Sequence, residues 1–427
     1  MREEIEQIYR EALKGINPET RVVKQLSSQG WLTETGGQIY LVAFGKAACP
    51  MTRGALSVLG NRLKRGIVIT KDDHSKGFNF PDRVELYEAS HPVPDLRSVR
   101  ATERALEILD GLRDDDLVIA LISGGGSSLF CAPFEGISLE DKKTTTDLLL
   151  KAGADIFEIN TVRKHISRVK GGRLARYLSP AKVISLIISD VIGNRLDVIA
   201  SGPTAPDPTT FSDALEVIKK YGLYERVPEG VIKLLKRGAS GEVPETLKPG
   251  SRVFERVENH IIASNRHMLE ELKALAEKRG YRTLLLTDSL QGEAREAARW
   301  LAGEIKRTSS PTPLCLISGG ETTVTVKGDG LGGRNTEFAL AFAMEIEGMK
   351  GVTLLSAGTD GTDGPTDAAG AVVDGETTKR ARALGLDPMD YLLRNDSYNF
   401  FKNTGELLIT GPTGTNVMDI QIVLIRP

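Results

Sequence analysis

Short apolar runs alternate with amphipathic segments along most of the chain. The runs at residues 39–44, 116–122 and 182–189 are rich in aliphatic side chains, which is typical of strands buried on both faces of a parallel sheet. Residues 98–109 repeat their apolar positions with the spacing of a helix. This alternation predicts an α/β fold with mostly parallel sheets and helices on both faces.

A polar stretch divides the pattern into two halves. Residues 237–253 are rich in glycine, proline and charged side chains, as interdomain linkers are, and the strand–helix alternation restarts at residue 260. A chain of 427 residues is also too long for one ordinary core. We therefore predict an N-terminal Rossmann-like α/β domain at residues 1–240 and a C-terminal α/β domain at residues 253–427.

Composition excludes several classes of function. With 55 basic and 57 acidic side chains the net charge is −2, so the basic excess of a nucleic-acid-binding protein is missing. No run approaches the about 18 apolar residues that a membrane span needs, and the first residues are charged where a signal peptide is apolar. Three scattered cysteines argue against a disulfide framework. We expect a cytoplasmic protein that binds neither nucleic acid nor membrane; its oligomeric state is left open, a homo-oligomer included.

Several predicted strands end in loops suited to binding anions. The strand at 39–44 leads directly into Gly45, Lys46 and the start of a helix, a layout that suits phosphate binding, although it lacks the Walker A pattern. The strand at 116–122 leads into a glycine loop with hydroxyls at both ends, which can present successive N–H groups to an anion unless it is a plain turn. The loop residues are Ser123, Gly124, Gly125, Gly126, Ser127 and Ser128. A further loop near the C-terminus combines glycine, hydroxyl and amide groups in Gly411, Thr413, Thr415 and Asn416.

Acidic residues follow two other predicted strands. After the run at 352–355, the stretch 356–370 contains Asp360, Asp363 and Asp367 among glycines and threonines. Carboxylates at the carboxyl end of a strand suit Mg²⁺ and the phosphates it accompanies, while ordinary turns are the alternative. Asp190 follows the run at 182–189 and is a candidate metal ligand or base, or else the N-cap of the next helix.

Two more features have competing interpretations. Residues 160–173 carry five basic side chains and His165, which a solvated helix face explains more simply than an anion-binding patch does. His91 lacks a partner at ligand-like spacing and is interpreted as structural.

Gly328, Gly330 and Gly333 match the dinucleotide pattern GxGxxG, but the preceding residues alternate as in a half-exposed antiparallel strand. Arg334, at the start of the next helix, is better explained as a fork, that is, a planar guanidinium that binds a carboxylate or phosphate through two N–H groups.

Taken together, these motifs resemble the class II glycerate 2-kinase family, and the second half resembles its MOFRL domain. The resemblance extends over nearly the whole chain and rests on residues 45–46, 123–128, 160–173, 188–204, 318–321, 332–337, 356–370 and 409–419. It implies two α/β domains with an active site between them, and transfer of phosphate from ATP, with Mg²⁺, to the 2-hydroxyl of D-glycerate. Family members have also been labelled hydroxypyruvate reductases, so an NAD(P)H-dependent reductase is the alternative, followed by a non-enzymatic protein that binds small hydroxy acids.

The resemblance and the local chemistry together assign roles. Lys46 and Arg334 become the cations for the transferring phosphate and for the glycerate carboxylate. Asp190 becomes the base or a metal ligand, and Asp360 and Asp363 become further Mg²⁺ ligands. Both cations are expected to line a wet cleft, so that replacing either one should leave thermal stability almost unchanged.

Overall fold

The computed structural model describes residues 1–308 and 311–427. They form two compact units. The N-terminal unit comprises residues 18–189 and 194–262, and the C-terminal unit comprises residues 1–17, 190–193 and 263–427.

Both units are built from strands and helices that alternate along much of the chain. The strands are β1 (Ile39–Phe44), β2 (Leu63–Lys71), β3 (Val84–Ala89), β4 (Leu117–Ile122), β5 (Lys182–Ile188), β6 (Val257–Ala263), β7 (Arg282–Leu290), β8 (Leu314–Gly320), β9 (Val352–Gly358), β10 (Gly370–Asp374), β11 (Leu407–Leu408) and β12 (Asp419–Ile425). The α-helices are α1 (Arg2–Gly15), α2 (Pro18–Ser28), α3 (Trp31–Glu34), α4 (Ala48–Leu59), α5 (Leu96–Ile108), α6 (Gly126–Leu129), α7 (Leu139–Lys151), α8 (Ile156–His165), α9 (Arg173–Leu178), α10 (Phe211–Lys220), α11 (Glu229–Ala239), α12 (Asn265–Lys278), α13 (Ala294–Arg307), α14 (Arg334–Glu345), α15 (Thr377–Ala383), α16 (Pro388–Leu393) and α17 (Ser397–Thr404).

The first sheet has the strand order β3-β2-β1-β4-β5-β6, and each adjacent pair from β3 to β5 is parallel. Every residue of β4 is buried, as expected for an apolar strand between two helical layers. The chain winds outward from β1 to β3 and then returns to place β4 on the other side of β1. Ligands of such sheets bind at this reversal, outside the carboxyl ends of the two strands.

The second sheet has the order β11-β10-β9-β12-β8-β7 and is mixed. Strands β7, β8, β9 and β11 share one direction, whereas β10 and β12 run opposite to their neighbours. The predicted α/β class is confirmed, but these two reversed strands were not predicted. Loop 359–369 joins β9 to β10 without a helix, and such a connection makes the next strand run backwards, because a parallel neighbour needs a crossover.

Helix α1 belongs to the C-terminal unit, although it opens the chain. Its Tyr9 hydroxyl donates to the Gly358 carbonyl at 2.8 Å, and its Glu11 accepts from Arg279 at 3.0 Å. These long-range bonds explain why the units differ from the predicted spans of 1–240 and 253–427.

The stretch predicted as a linker is built into the N-terminal unit. The Glu245 carboxylate accepts from the Phe211 N–H at 2.8 Å and contacts the His165 ring at 3.2 Å. Leu247 is buried and pairs with Gly171 and Asp207 through the backbone. The stretch therefore combines exposed polar residues with specific hydrogen bonds to the rest of the unit. None of the described helices has the length and apolar composition that crossing a bilayer requires.

Candidate functional site

The carboxyl ends of β1 and β4 are joined by hydrogen bonds in the N-terminal unit. The Lys46 N–H donates to the Gly124 carbonyl at 2.9 Å, and the Ala47 N–H donates to the Ser123 hydroxyl at 3.0 Å. A Cβ on Gly45 would lie 2.3 Å from the same hydroxyl, so only glycine allows the two loops to approach this closely. The structure thus brings together Lys46 and the glycine loop.

The Lys46 side chain lies against this loop beside two histidines. A Cβ on Gly125, whose φ is +84°, would lie 3.4 Å from Lys46 Cγ and 2.9 Å from His91 Cδ2. The His74 ring contacts the Lys46 carbonyl at 3.0 Å. In the described part of the chain no carboxylate pairs with the Lys46 ammonium. A half-buried cation without a counterion suits an anionic ligand.

His91 belongs to this group as well, although its sequence context suggested only a structural role. Burial, and next the charge of Lys46, lower the pKa of the His91 ring to about 4. The ring is therefore neutral near pH 7 and can offer one N–H to a ligand without adding charge. Its position beside Gly125 results from the turn after β3, which no spacing in the sequence reveals.

The glycine loop retains free donors. The N–H groups of Gly126 and Ser128 already donate to carbonyls inside the loop, each at 3.2 Å. Three other N–H groups have no acceptor among residues 1–308 and 311–427, namely those of Gly124, Gly125 and Ser127. Of the two interpretations of this stretch, the anion-binding loop suits the geometry better than a plain turn does.

A second cluster forms in the C-terminal unit around Asp419. As the first residue of β12, Asp419 pairs with Gly320 at the end of β8 and with Gly358 at the end of β9. Its carboxylate accepts from Arg334 Nε at 2.5 Å and Nη2 at 3.1 Å, while Arg334 Nη1 lies 2.8 Å from Glu321. Arg334 is the expected fork, but in this structure its donors are held by carboxylates of the chain itself.

This pairing corrects one expectation about stability. Only 1% of the Asp419 side chain is exposed, and burial raises its pKa to about 7 against the opposing effect of Arg334. Removing Arg334 would leave that carboxylate buried without its main partner, which is strongly destabilising. Arg334 therefore supports the fold, whereas a wet cleft was predicted around it.

Asp363 binds the N-terminus of α14. Its two oxygens accept from the N–H groups of Asn335 and Thr336, each at 2.8 Å, and from the Thr336 hydroxyl at 2.7 Å. Burial raises the pKa of Asp363, and these hydrogen bonds oppose the rise. The Asn335 amide also donates to Asp419 at 3.0 Å, so it links the two carboxylates. Asp363 thus positions α14 and Arg334, a role different from the predicted metal ligand.

The glycine pattern GxGxxG serves the same purpose. A Cβ on Gly333 would lie 2.4 Å from the Asp363 carboxylate, so the missing side chain admits that carboxylate to the helix N-terminus. Gly328 and Gly330 pack against the backbone of residues 394–396. The expected strand before them is reduced to one bridge, between Glu293 and Thr323. The position where a dinucleotide pyrophosphate would bind is therefore taken by an aspartate of the chain.

Asp360 keeps a more accessible position than Asp363. Among residues 1–308 and 311–427 its carboxylate accepts only from Thr362, at 3.1 Å from the N–H and 3.2 Å from the hydroxyl. The loop that contains Gly411 packs onto the same turn, where Thr413 donates to the Thr359 carbonyl at 2.6 Å. Of the loop residues predicted to bind oxygens, Thr413 and Asn416 form hydrogen bonds within the loop structure. The Thr415 hydroxyl is buried and has no hydrogen-bond partner in the part of the chain that is described.

Asp190 lies half-buried just beyond β5, as expected. Within the two described ranges, no group of three or more histidine, cysteine, aspartate or glutamate side chains is arranged to hold a metal ion. Mg²⁺ in phosphoryl-transfer sites is commonly held by one or two carboxylates together with substrate phosphates. Asp360 fits that arrangement, whereas Asp363 does not because its oxygens are occupied. Asp190 is a candidate by its position after β5, and it already has an interaction partner within the protein.

The basic stretch 160–173 does not form a solvated helix face. Lys164 is buried and pairs with Asp207 at 2.6 Å, and Arg173 donates to backbone carbonyls. Lys170 is buried and donates to the Gly126 carbonyl at 3.0 Å. Burial of these cations was not predictable from their spacing, since it depends on partners far along the chain.

Asp419 and Glu321 are the main residues of the site to which sequence reasoning assigned no role. Each lies within a stretch that carries the family resemblance; Glu321 directly follows Gly319 and Gly320, whereas Asp419 follows a valine and a methionine. Asp419 comes from the last strand and reaches Arg334 only because β12 lies between β8 and β9. The sequence did contain a signal for Asp419, because it is an isolated acidic residue at the start of the apolar strand β12.

Two family models match the sequence. A domain of unknown function, DUF4147, matches residues 4–236, and the MOFRL family matches residues 314–419. The chain is 52% identical over 394 residues to the D-glycerate 2-kinase of Thermotoga maritima, an alignment that covers 91% of each. It is 41% identical over 431 residues to an Agrobacterium vitis protein provisionally named hydroxypyruvate reductase, covering 99% of this chain and 94% of that one.

Among solved structures, a glycerate kinase from Thermotoga maritima matches with a TM-score of 0.91 at 48% identity. The match covers 100% of this chain and 99% of the other.

Proposed function

The chain belongs to the class II glycerate 2-kinase family, and on that premise we propose that it transfers the γ-phosphoryl group of ATP to the 2-hydroxyl of D-glycerate, giving ADP and 2-phosphoglycerate. The observation that carries the proposal is the position of Lys46 against the glycine loop at the reversal of the first sheet. An unpaired cation and free N–H groups meet there, and phosphoryl transfer depends on such fixed positive groups.

Lys46 and the glycine loop act on the phosphates. The ammonium neutralises charge that develops on the transferring group, and the N–H groups of Gly124 and Gly125 bind its oxygens. Neutral His91 donates one hydrogen bond from the side. These groups are fixed before substrate arrives, so little reorganisation is needed during transfer.

Arg334 binds the glycerate carboxylate by exchanging a partner. Its contact with Glu321 is half-exposed, whereas its contact with Asp419 is buried. The substrate carboxylate therefore replaces Glu321 while Asp419 keeps the guanidinium oriented. Asp190 accepts the proton of the 2-hydroxyl or binds the metal.

Mg²⁺, when bound with ATP, neutralises the β- and γ-phosphates. Asp190 and Asp360 are its proposed carboxylate ligands. Because the reaction uses ATP and a small hydroxy acid, the proposal places the protein in the cytoplasm with small-molecule partners only.

A pair of aspartate variants separates metal binding from structure. Asp360→Asn is expected to leave stability unchanged but to raise the Mg²⁺ concentration needed for activity, because the amide lacks the charge of the ligand. Asp363→Asn is expected to destabilise the fold by about 1–3 kcal/mol, because an amide N–H would face the donors of α14. Urea unfolding and Mg²⁺ titration of the initial rate measure the two effects. An unchanged Mg²⁺ dependence in Asp360→Asn would show that Asp360 is only a turn residue.

The reductase alternative receives little support from the site. It needs a dinucleotide at the GxGxxG loop, but Asp363 occupies the helix N-terminus there.

The proposal is tested by supplying the reactants separately and together. Release of ADP is expected only when D-glycerate, ATP and Mg²⁺ are all present, and ³¹P NMR should identify the product as the 2-phosphate. Omission of each reactant in turn is the control. Oxidation of NAD(P)H with hydroxypyruvate, without turnover of ATP, would overturn the proposal in favour of the reductase. Glycerate binding in calorimetry without turnover of any nucleotide would favour the binding protein.

A further inference from the structure

A cavity of about 610 Å³ lies in the N-terminal unit beside the glycine loop. The residues that matter to its chemistry are Ser127, Ser128, Lys142, Arg163, Lys170 and Ser201. Lys143 also lines the cavity but pairs with Glu140. The other three cationic side chains lie in a cavity that hydroxyl groups also line, and none of the three has a role in the mechanism above.

Two of these cations are almost completely buried. Lys142 is 5% exposed and Lys170 is 1% exposed, while Arg163 is half-buried. Burial lowers the pKa of all three, and the Lys142 and Arg163 charges lower that of Lys170 further. All three line the same cavity, so their charges repel one another there.

No carboxylate neutralises these charges in the part of the chain that the structure describes. Lys170 donates to the Gly126 carbonyl, and Lys142 and Arg163 have no side-chain acceptor there. The two acids that line the cavity pair with other lysines: Glu140 with Lys143 at 3.1 Å and Asp147 with Lys151 at 2.7 Å.

Buried cations without counterions are unfavourable unless an anion enters. Three converging positive charges suit a polyanion better than the single carboxylate of glycerate. Hydroxyl oxygens also line the cavity, where Ser127 lies 2.9 Å from Ser201 and Ser201 donates to the Asn160 amide oxygen at 3.1 Å.

The rim of the cavity is apolar, unlike its cationic interior. Val93 is 52% exposed and Leu150 is 60% exposed, and both line the cavity. An apolar rim above a cationic interior matches a ligand with one flat apolar end and one polyanionic end. Among the proposed reactants, a nucleoside triphosphate has that chemistry.

We propose that this cavity binds the nucleotide, with its phosphates on Lys142, Arg163 and Lys170 and its base against Val93 and Leu150. The inference rests on the proposed kinase function and names the site of one of its substrates. Two nearby loop residues support it, because the Gly124 carbonyl accepts from the Lys46 N–H and the Gly126 carbonyl accepts from the Lys170 ammonium. The phosphate chain can thus continue from the cavity towards the lysine that acts on it.

Calorimetry with ATP, inorganic tripolyphosphate and D-glycerate tests the proposal. Lys142→Met and Arg163→Gln are each expected to weaken binding of ATP and tripolyphosphate about 30-fold or more, and to leave glycerate binding unchanged. Lys143→Met is the matched control, since Lys143 is the next residue on α7 but is already paired with Glu140. It should change either affinity by no more than about twofold. Leu150→Ser should weaken ATP but not tripolyphosphate.

Melting temperatures separate loss of binding from loss of structure. Without ligand, Lys142→Met should melt at or above the wild-type temperature, because it removes an uncompensated buried charge. Wild-type affinity for ATP in both Lys142→Met and Arg163→Gln would overturn the proposal, as would equal losses in Lys143→Met or a loss confined to glycerate.

The assay of ADP release distinguishes this inference from the kinase proposal. Glycerate-dependent release of ADP together with unchanged nucleotide affinity in the variants would place the nucleotide elsewhere and leave the kinase intact. Nucleotide binding that depends on Lys142 and Arg163, without any turnover of glycerate, would support the cavity site and overturn the kinase.

Discussion

Lys46→Met is expected to lower kcat/KM for ATP-dependent phosphorylation of glycerate by about a hundredfold or more, because it removes a fixed cation from the transferring phosphate. The melting temperature should hardly change, since Lys46 is half-buried and has no carboxylate partner in the described part of the chain. Lys46→Arg should fail as well, because a planar guanidinium cannot occupy the position of a compact ammonium.

A spectroscopic measurement shows whether Lys46 acts through its charge. Since that charge lowers the pKa of His91, Lys46→Met should raise the pKa of the His91 ring from about 4, as followed by NMR titration. Lys64→Met is the control, because Lys64 is an exposed lysine on β2. Wild-type kcat/KM in Lys46→Met, or a loss of activity that merely follows a loss of stability, would remove Lys46 from the site.

Arg334→Met is expected to destabilise the protein by about 3–5 kcal/mol and to abolish measurable activity, because it leaves the Asp419 carboxylate buried without its main partner. Arg334→Lys should also lose activity, since one ammonium cannot replace a fork that bonds both oxygens of Asp419. Urea unfolding gives the free energy of unfolding of each variant, and kcat/KM for glycerate gives the activity.

A double-mutant cycle identifies the cause of this destabilisation. Arg334→Met combined with Asp419→Asn should be more stable than Arg334→Met alone, because the stranded charge is then absent. Arg266→Met is a control with an exposed pair, Arg266–Glu270, and should cost no more than about 0.5 kcal/mol. Additive effects of the two substitutions would show that the buried ion pair does not couple them.

Local patterns were sufficient to predict that Lys46 and the glycine loop follow two buried strands. Lys46 and the loop from Ser123 each follow an apolar run, and the ends of parallel strands meet at one edge of a sheet. The α/β class was predictable for the same reason, because strand and helix periods are properties of neighbouring residues.

Contacts between distant parts of the chain were not predictable in this way. The bond between Asp419 and Arg334 depends on β12 inserting between β8 and β9, and the buried cavity cations depend on how α7 and α8 pack. Composition suggested that Asp363 is either a Mg²⁺ ligand or a turn residue. Its hydrogen bonds to the N-terminus of α14 show a different role, which depends on the tertiary structure.

The sequence by itself therefore determined the α/β class, the order of the main elements and the loops that carry anion-binding groups, because these depend on residues close together in the chain. The tertiary structure alone decided which charges are neutralised. It paired Arg334 with Asp419, placed Asp363 on a helix N-terminus and left Lys46, Lys142 and Arg163 without carboxylate partners among the described residues. The physical reason is that the free energy of a charge depends on its burial and on partners that the fold brings from far along the chain.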